Sequence, residues 1–166
     1  IYIDFSRLPE NCQTYEEYIN RIKTGIKEDL FEDFPELELK EEMSLWDILA
    51  KIFQKTNRKF MFIMDEWDAV FHMPFISQKE RQEYLLFLKN LLKDQVYVEL
   101  AYMTGILPIA KYSAASELNM FVEYNMATRE RFSSYFGFSE EEVDKLFQIY
   151  SETTIRPRKV SKIFIT

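Results

Sequence analysis

The chain is poor in glycine, cysteine and histidine, and each shortage excludes a class of site. Its 3 glycines cannot form a G-x-x-x-x-G-K-[ST] loop, the Walker A motif that cradles nucleotide phosphates. The single cysteine, Cys12, excludes an intramolecular disulfide and has no His or Cys partner in metal-binding spacing. No apolar run approaches the roughly 20 residues of a membrane-spanning helix.

The composition is that of a folded, acidic domain. A hydrophobic fraction of 47% with 16% aromatic residues argues against disorder, and 166 residues predict one domain. The net charge of −7 disfavours a surface for nonspecific nucleic-acid binding. Without a signal sequence or disulfide we expect a cytoplasmic protein. Because the chain starts at Ile1 in strand-like sequence, we also expect it to be a piece of a longer protein.

The segment from Phe60 to Glu66 carries the strongest functional pattern, because an apolar run ends in an adjacent Asp-Glu pair. An uninterrupted apolar run predicts a strand buried on both faces, as in the middle of a parallel sheet. The two carboxylates would emerge at the carboxyl edge, where open α/β sheets bind ligands. In P-loop nucleoside triphosphatases a carboxylate in this setting holds Mg²⁺. Two solvated acids at a strand end are the simpler alternative.

The rest of the chain alternates between strand and helix patterns. Ile1–Phe5 and Val96–Met103 predict strands, and Ser/Thr-x-x-Glu capping boxes at Thr14, Ser77 and Ser139 predict helix starts. One more amphipathic helix precedes the Phe60 strand. This order predicts a parallel α/β sheet with right-handed crossovers.

Four segments belong together by their order and spacing: FMFIMDEWD at 60–68, YMTGILPIAK at 102–111, SELNM at 116–120 and YFGFSEEEV at 135–143. They resemble the bacterial AAA-ATPase-like family, a P-loop ATPase domain usually followed by a PD-(D/E)XK nuclease-like domain. The resemblance implies a partial RecA/AAA-like sheet flanked by helices, without the Walker A strand and loop. We expect residues 1–112 to form this α/β core and residues 113–166 a truncated helical part of the same domain.

The resemblance also assigns roles at a Walker B-like site. Asp65 would hold Mg²⁺, directly or through water, and Glu66 would orient or activate the water that attacks ATP. Thr104 ends the strand expected beside the Asp65 strand, and it would sense the γ-phosphate or position that water. The intact protein is therefore expected to bind and hydrolyse ATP with Mg²⁺, whereas this chain is expected to be inactive. Contact with nucleic acid is implied only through the nuclease-like domain.

Three positive side chains are candidates for phosphate contacts: Lys111 for binding the nucleotide, and Arg129 and Arg131 in cis or from another subunit. Surface ion pairs are the alternative for all three. A non-catalytic module that binds a partner protein or self-associates, and a degenerate remnant, are the alternative functions of the chain. An aromatic stretch between residues 121 and 138 would be the interface, unless it is core.

The neighbours of the candidate site have simpler interpretations. Asp68 would either add charge near the metal or cap and salt-bridge locally. Trp67 is expected to pack rather than to stack on a base. Gly105 is expected to supply backbone freedom where the strand turns.

Overall fold

The structure, a computed structural model, describes residues 1–109, 118–124, 135 and 137–153. The chain divides into two compact units, residues 1–121 and 122–166. The first unit contains, in chain order, β1 (Tyr2–Asp4), α1 (Tyr15–Asp33), α2 (Leu45–Thr56), β2 (Phe60–Asp65), a 3₁₀ turn (Ala69–His72), α3 (Gln78–Leu92) and β3 (Val98–Met103). The second unit contains α4 (Glu140–Thr153).

The three strands form one parallel sheet in the order β1-β2-β3. The register places Asp4 beside Asp65 in the first pair of strands and Ile63 beside Tyr102 in the second. The α/β class and the parallel sheet predicted from the sequence are thereby confirmed. All three strands end at the same edge, so the residues that follow them are brought together.

Side-chain caps fix where the helices begin. The Thr14 hydroxyl accepts the Glu17 N–H at 3.2 Å, and the Glu17 carboxylate accepts the Thr14 N–H in return. Ser77 and Glu80 repeat this capping box at α3. Hydrogen bonds from the cap lower the pKa of the Glu80 carboxyl, chiefly the one from the Ser77 hydroxyl. Among the described helices, none is long and apolar enough to cross a membrane.

The hydrophobic core lies on one face of the sheet. Phe62 and Met64 of β2 are fully buried in one cluster with the apolar sides of α1, α2 and α3. The alternate side chains of the strands are between 48% and 61% exposed: Tyr2, Met61, Ile63, Leu100 and Tyr102. These five residues, here called the bare face, show that the prediction of a β2 strand buried on both sides is wrong for the described residues.

The one-sided burial follows from the strand order. A crossover between parallel strands is right-handed in nearly all proteins. When successive strands advance in one direction across the sheet, as from β1 to β2 to β3, such crossovers place every helix on the same side. The apolar run in β2 predicts its strand correctly, but it does not reveal which of its faces the chain covers.

In the second unit, the Ser139 hydroxyl accepts the Glu142 N–H at 3.3 Å and completes the third predicted capping box. Along α4 the apolar side chains are about half exposed: Val143, Leu146, Phe147, Ile149 and Tyr150. Of the aromatic stretch between residues 121 and 138, Tyr135 and Phe138 are exposed, whereas Phe132 and Phe136 lie outside the described residues.

Candidate functional site at the carboxyl edge of the sheet

Asp65 and Thr104 meet at the carboxyl edge of the sheet. The ladder between β2 and β3 continues one step past the last strand residue, because Thr104 N–H donates to the Met64 carbonyl at 2.8 Å. Trp67 N–H then donates to the Thr104 carbonyl at 3.0 Å. Between these two bonds, the Thr104 hydroxyl donates a hydrogen bond to Asp65 Oδ1. The expected adjacency of the two residues is therefore observed.

The two oxygens of the Asp65 carboxylate have different surroundings. Oδ1 accepts from the Thr104 hydroxyl and also from the Glu66 N–H at 3.1 Å. Among the described residues, no hydrogen bond reaches Oδ2, and the side chain is only half-buried. One carboxylate oxygen is thus held by the protein, while the other is available to an incoming ligand.

Glu66 has an unusual backbone conformation directly after the strand. Its φ of 53° lies in the left-handed region, which is costly for a residue with a β-carbon. Its carbonyl accepts the Ala69 N–H at 2.9 Å and so starts the turn that leads into the 3₁₀ segment. No described residue bonds to its carboxylate. The chain therefore turns sharply and leaves this acid free for other partners.

A third acid stands at the same edge, and sequence reasoning missed it. Asp4 is the register partner of Asp65, so both side chains lie on the same face of the sheet. The Ser6 hydroxyl donates to Asp4 Oδ1 at 2.6 Å, and Arg7 Nε lies 3.0 Å from Oδ2. These partners, Ser6 first, lower the pKa of the Asp4 carboxyl. Its place in the predicted first strand was the available signal.

Asp68 is the only buried charged residue of the described chain, with 1% of its surface exposed. Its Oδ2 accepts the N–H groups of Ile106 and Leu107 at 3.1 and 2.8 Å. His72 Nε2 lies 4.0 Å away, beyond hydrogen-bonding distance. The predicted local cap is absent and the predicted local ion pair is limited to the contact with His72, because the hydrogen-bond partners of the side chain lie 38 and 39 residues along the chain.

Trp67 and Gly105 pack against each other beneath this edge. Trp67 is 2% exposed and meets Phe71 edge-to-face, so it is a packing residue as predicted. A β-carbon on Gly105 would lie 2.5 Å from Asp68 Oδ1 and 2.6 Å from Trp67 Cδ1. The φ of Gly105 lies outside the left-handed region. The reason for glycine is therefore close approach, and the expected need for backbone freedom is wrong.

The family model described as a predicted AAA-ATPase matches residues 1–115. The chain belongs to the AAA-ATPase-like family. The matched part of this AAA-ATPase-like chain includes all three strands and the whole carboxyl edge just described. Searches of curated proteins and of solved structures returned no match.

The positive residues expected at the site of this AAA-ATPase-like chain cannot be placed. Lys111, Arg129 and Arg131 lie outside the described residues, and their phosphate contacts remain predictions. Within the described residues, no group of three or more His, Cys, Asp or Glu side chains could hold a metal by itself. Mg²⁺ is usually bound by one or two carboxylates together with substrate phosphates, and the open Oδ2 of Asp65 fits such a role.

Proposed function

We propose that the AAA-ATPase-like protein binds and hydrolyses ATP with Mg²⁺, and that Asp65, Glu66 and Thr104 form the hydrolytic half of its site. The observation that carries this proposal is the hydrogen bond from the Thr104 hydroxyl to Asp65 Oδ1, directly beside Glu66. Membership in the family supports the same reaction. Lys111 would add a phosphate contact.

Asp65 is the residue that would hold Mg²⁺. Its Oδ2 is a hard oxygen on a half-buried side chain, and its Oδ1 is fixed by two hydrogen bonds that orient the carboxylate. When bound, the metal ion would neutralise charge on the phosphates during transfer. The Thr104 hydroxyl has its proton engaged by Asp65, so its oxygen remains free to accept a hydrogen bond from water.

Glu66 would act on the attacking water. Its carboxylate has no partner among the described residues, so it can accept a proton or hydrogen bond from water. The water oxygen bonds to the γ-phosphorus while the bond to the β–γ bridging oxygen breaks. The electron pair leaves with ADP, and the proton of the water passes to Glu66 and from there to the products. Positioning and charge, rather than covalent chemistry, would supply the rate.

Asp65→Asn tests the metal role. We expect the substitution to abolish the Mg²⁺-dependent part of ATP affinity, because an amide is a poorer ligand for this ion than a carboxylate. The measurement is ATP binding by calorimetry, with and without Mg²⁺, on the longest in-frame product of the gene. Asp94→Asn, an exposed change outside the site, is the control. An unchanged Mg²⁺ dependence in Asp65→Asn would refute the assignment.

A second candidate function is a non-catalytic module that associates with itself or another protein. The observation that favours it is the bare face, since contiguous exposed apolar surface marks interaction sites. Light scattering across a concentration series tests self-association. A monomer at every concentration, together with ATP turnover, would leave the ATPase proposal as the sole account.

A further inference from the structure

We propose that Asp68 is a positioning residue that holds the loop after β3, residues 104–107, and thereby keeps Thr104 aligned with Asp65. The anchoring of the loop stands on geometry alone. Its consequence for turnover rests on the proposed ATPase function. Neither the apolar run nor the Asp-Glu pair indicates this role, because the partners are distant in sequence.

The anchoring is built from two adjacent backbone donors that converge on one buried oxygen. Ile106 N–H and Leu107 N–H both donate to Asp68 Oδ2, at 3.1 and 2.8 Å. Hydrogen bonds to an ionised acceptor are about twice as strong as neutral ones, and the accepting side chain is buried while the two donors are partly exposed. One side chain therefore holds the far end of the loop through two backbone N–H groups.

The near end of the loop is tied to the residues that precede Asp68. The Thr104 carbonyl accepts from Trp67 N–H, and the Thr104 hydroxyl donates to Asp65. Three residues of the segment 65–68 thus bond to three residues of the loop, one at its near end and two at its far end: Asp65, Trp67 and Asp68 to Thr104, Ile106 and Leu107. Removal of the Asp68 carboxylate would free the far end, and Thr104 would then be held only by its own hydrogen bonds to Met64, Asp65 and Trp67.

The remaining oxygen of Asp68 indicates that the residue is not placed for stability alone. Oδ1 is buried and has no hydrogen-bond partner in the described part of the chain. Such an oxygen costs free energy, and Gly105 approaches it so closely that no β-carbon would fit. The protein tolerates this cost while Oδ2 holds the loop in place.

Amide hydrogen exchange on the chain itself tests the anchoring. We expect Asp68→Ala to speed exchange at Ile106 and Leu107 by roughly tenfold or more, with Tyr18 of α1 unchanged. Asp68→Asn keeps an acceptor oxygen and should restore most of the protection, with both amide proton resonances shifted upfield. Asp29→Ala, at an exposed position of α1, is the matched control. Unchanged exchange at both amides, or an equal rise throughout the chain, would overturn the anchoring.

Kinetics on the longest in-frame product test the positioning. We expect Asp68→Ala to lower kcat for ATP by roughly tenfold or more while KM stays near the wild-type value, and Asp68→Asn to recover part of kcat. A wild-type kcat in a variant whose loop amides exchange faster would overturn the positioning role. Absence of turnover in the wild-type protein would overturn the proposed function instead, and the amide measurement would still decide the anchoring.

Discussion

Gly105 and Gly25 are chemically identical residues in opposite surroundings. A β-carbon on Gly105 would meet Trp67 and Asp68 at 2.5 to 2.7 Å, whereas a β-carbon on Gly25 would meet nothing within 4 Å. The indole of Trp67 is buried and cannot move aside cheaply. The same residue type therefore serves close packing at one position and only weakens a helix at the other.

Alanine substitutions separate these two cases. We expect Gly105→Ala to lower the free energy of unfolding by about 1–3 kcal/mol through overpacking. Gly25→Ala, inside α1, should raise it by about 0.5–1 kcal/mol because alanine is the better helix former. Urea denaturation of both variants measures the difference. Equal stabilities for the two variants would show that a β-carbon at position 105 does not clash with its neighbours.

Individual residues also show which features of the site a sequence pattern can predict and which it cannot. Asp65 and Glu66 were predicted from an apolar run that ends in two acids, and Thr104 from the end of the neighbouring strand together with the family resemblance, so local patterns were enough. The partners of Asp68 depend on the path of a loop 38 residues away, and no periodicity encodes that path. The left-handed backbone of Glu66 is equally invisible, since glutamate has no preference for it.

At the scale of the elements, caps and strands were predictable because each depends on neighbouring residues. The three capping boxes form as the Ser/Thr-x-x-Glu spacing requires. The coverage of the sheet was not predictable in this way. Coverage depends on the strand order. The same apolar run can form a strand that is buried on both faces or a strand that is buried on one face only.

The cap of α3 should make stability depend on pH. The pKa of Glu80 is lowered below its ordinary value of 4.5 in the folded protein, so its stabilising effect is present above that value and is lost as the pH falls through the folded pKa. We expect Glu80→Gln to reduce the urea midpoint at pH 7, and the deficit to shrink below pH 4. The exposed Glu28→Gln in α1 is the control. A deficit of constant size from pH 7 to pH 3 would contradict this linkage.

At the scale of the whole molecule, the bare face is an exposed apolar surface that the proposed site does not explain. Parallel sheets are normally covered on both faces, and within the described part of the first unit α1, α2 and α3 pack on a single face of this sheet. The exposed residues are in register across all three strands, so they form one continuous patch and not scattered side chains.

A lysine in the bare face should reduce the binding of a hydrophobic dye to the chain. We expect the wild-type chain to increase the fluorescence of a hydrophobic dye, and Ile63→Lys or Leu100→Lys to reduce that increase by about half or more. Leu86→Lys, at an exposed position on α3 outside the bare face, should change the dye fluorescence little. Dye titration at equal protein concentration makes the comparison. Equal fluorescence from all three variants would show that the bare face is covered in solution.

The most direct test of the account is ATP binding and ATP turnover measured side by side on the wild-type protein and Glu66→Gln, using the longest in-frame product of the gene. The amide keeps the size of the side chain but cannot take a proton from water, so we expect affinity to change little and kcat to fall roughly 100-fold or more. A variant that turns over ATP at the wild-type rate would contradict the central claim that the carboxyl edge is the hydrolytic site.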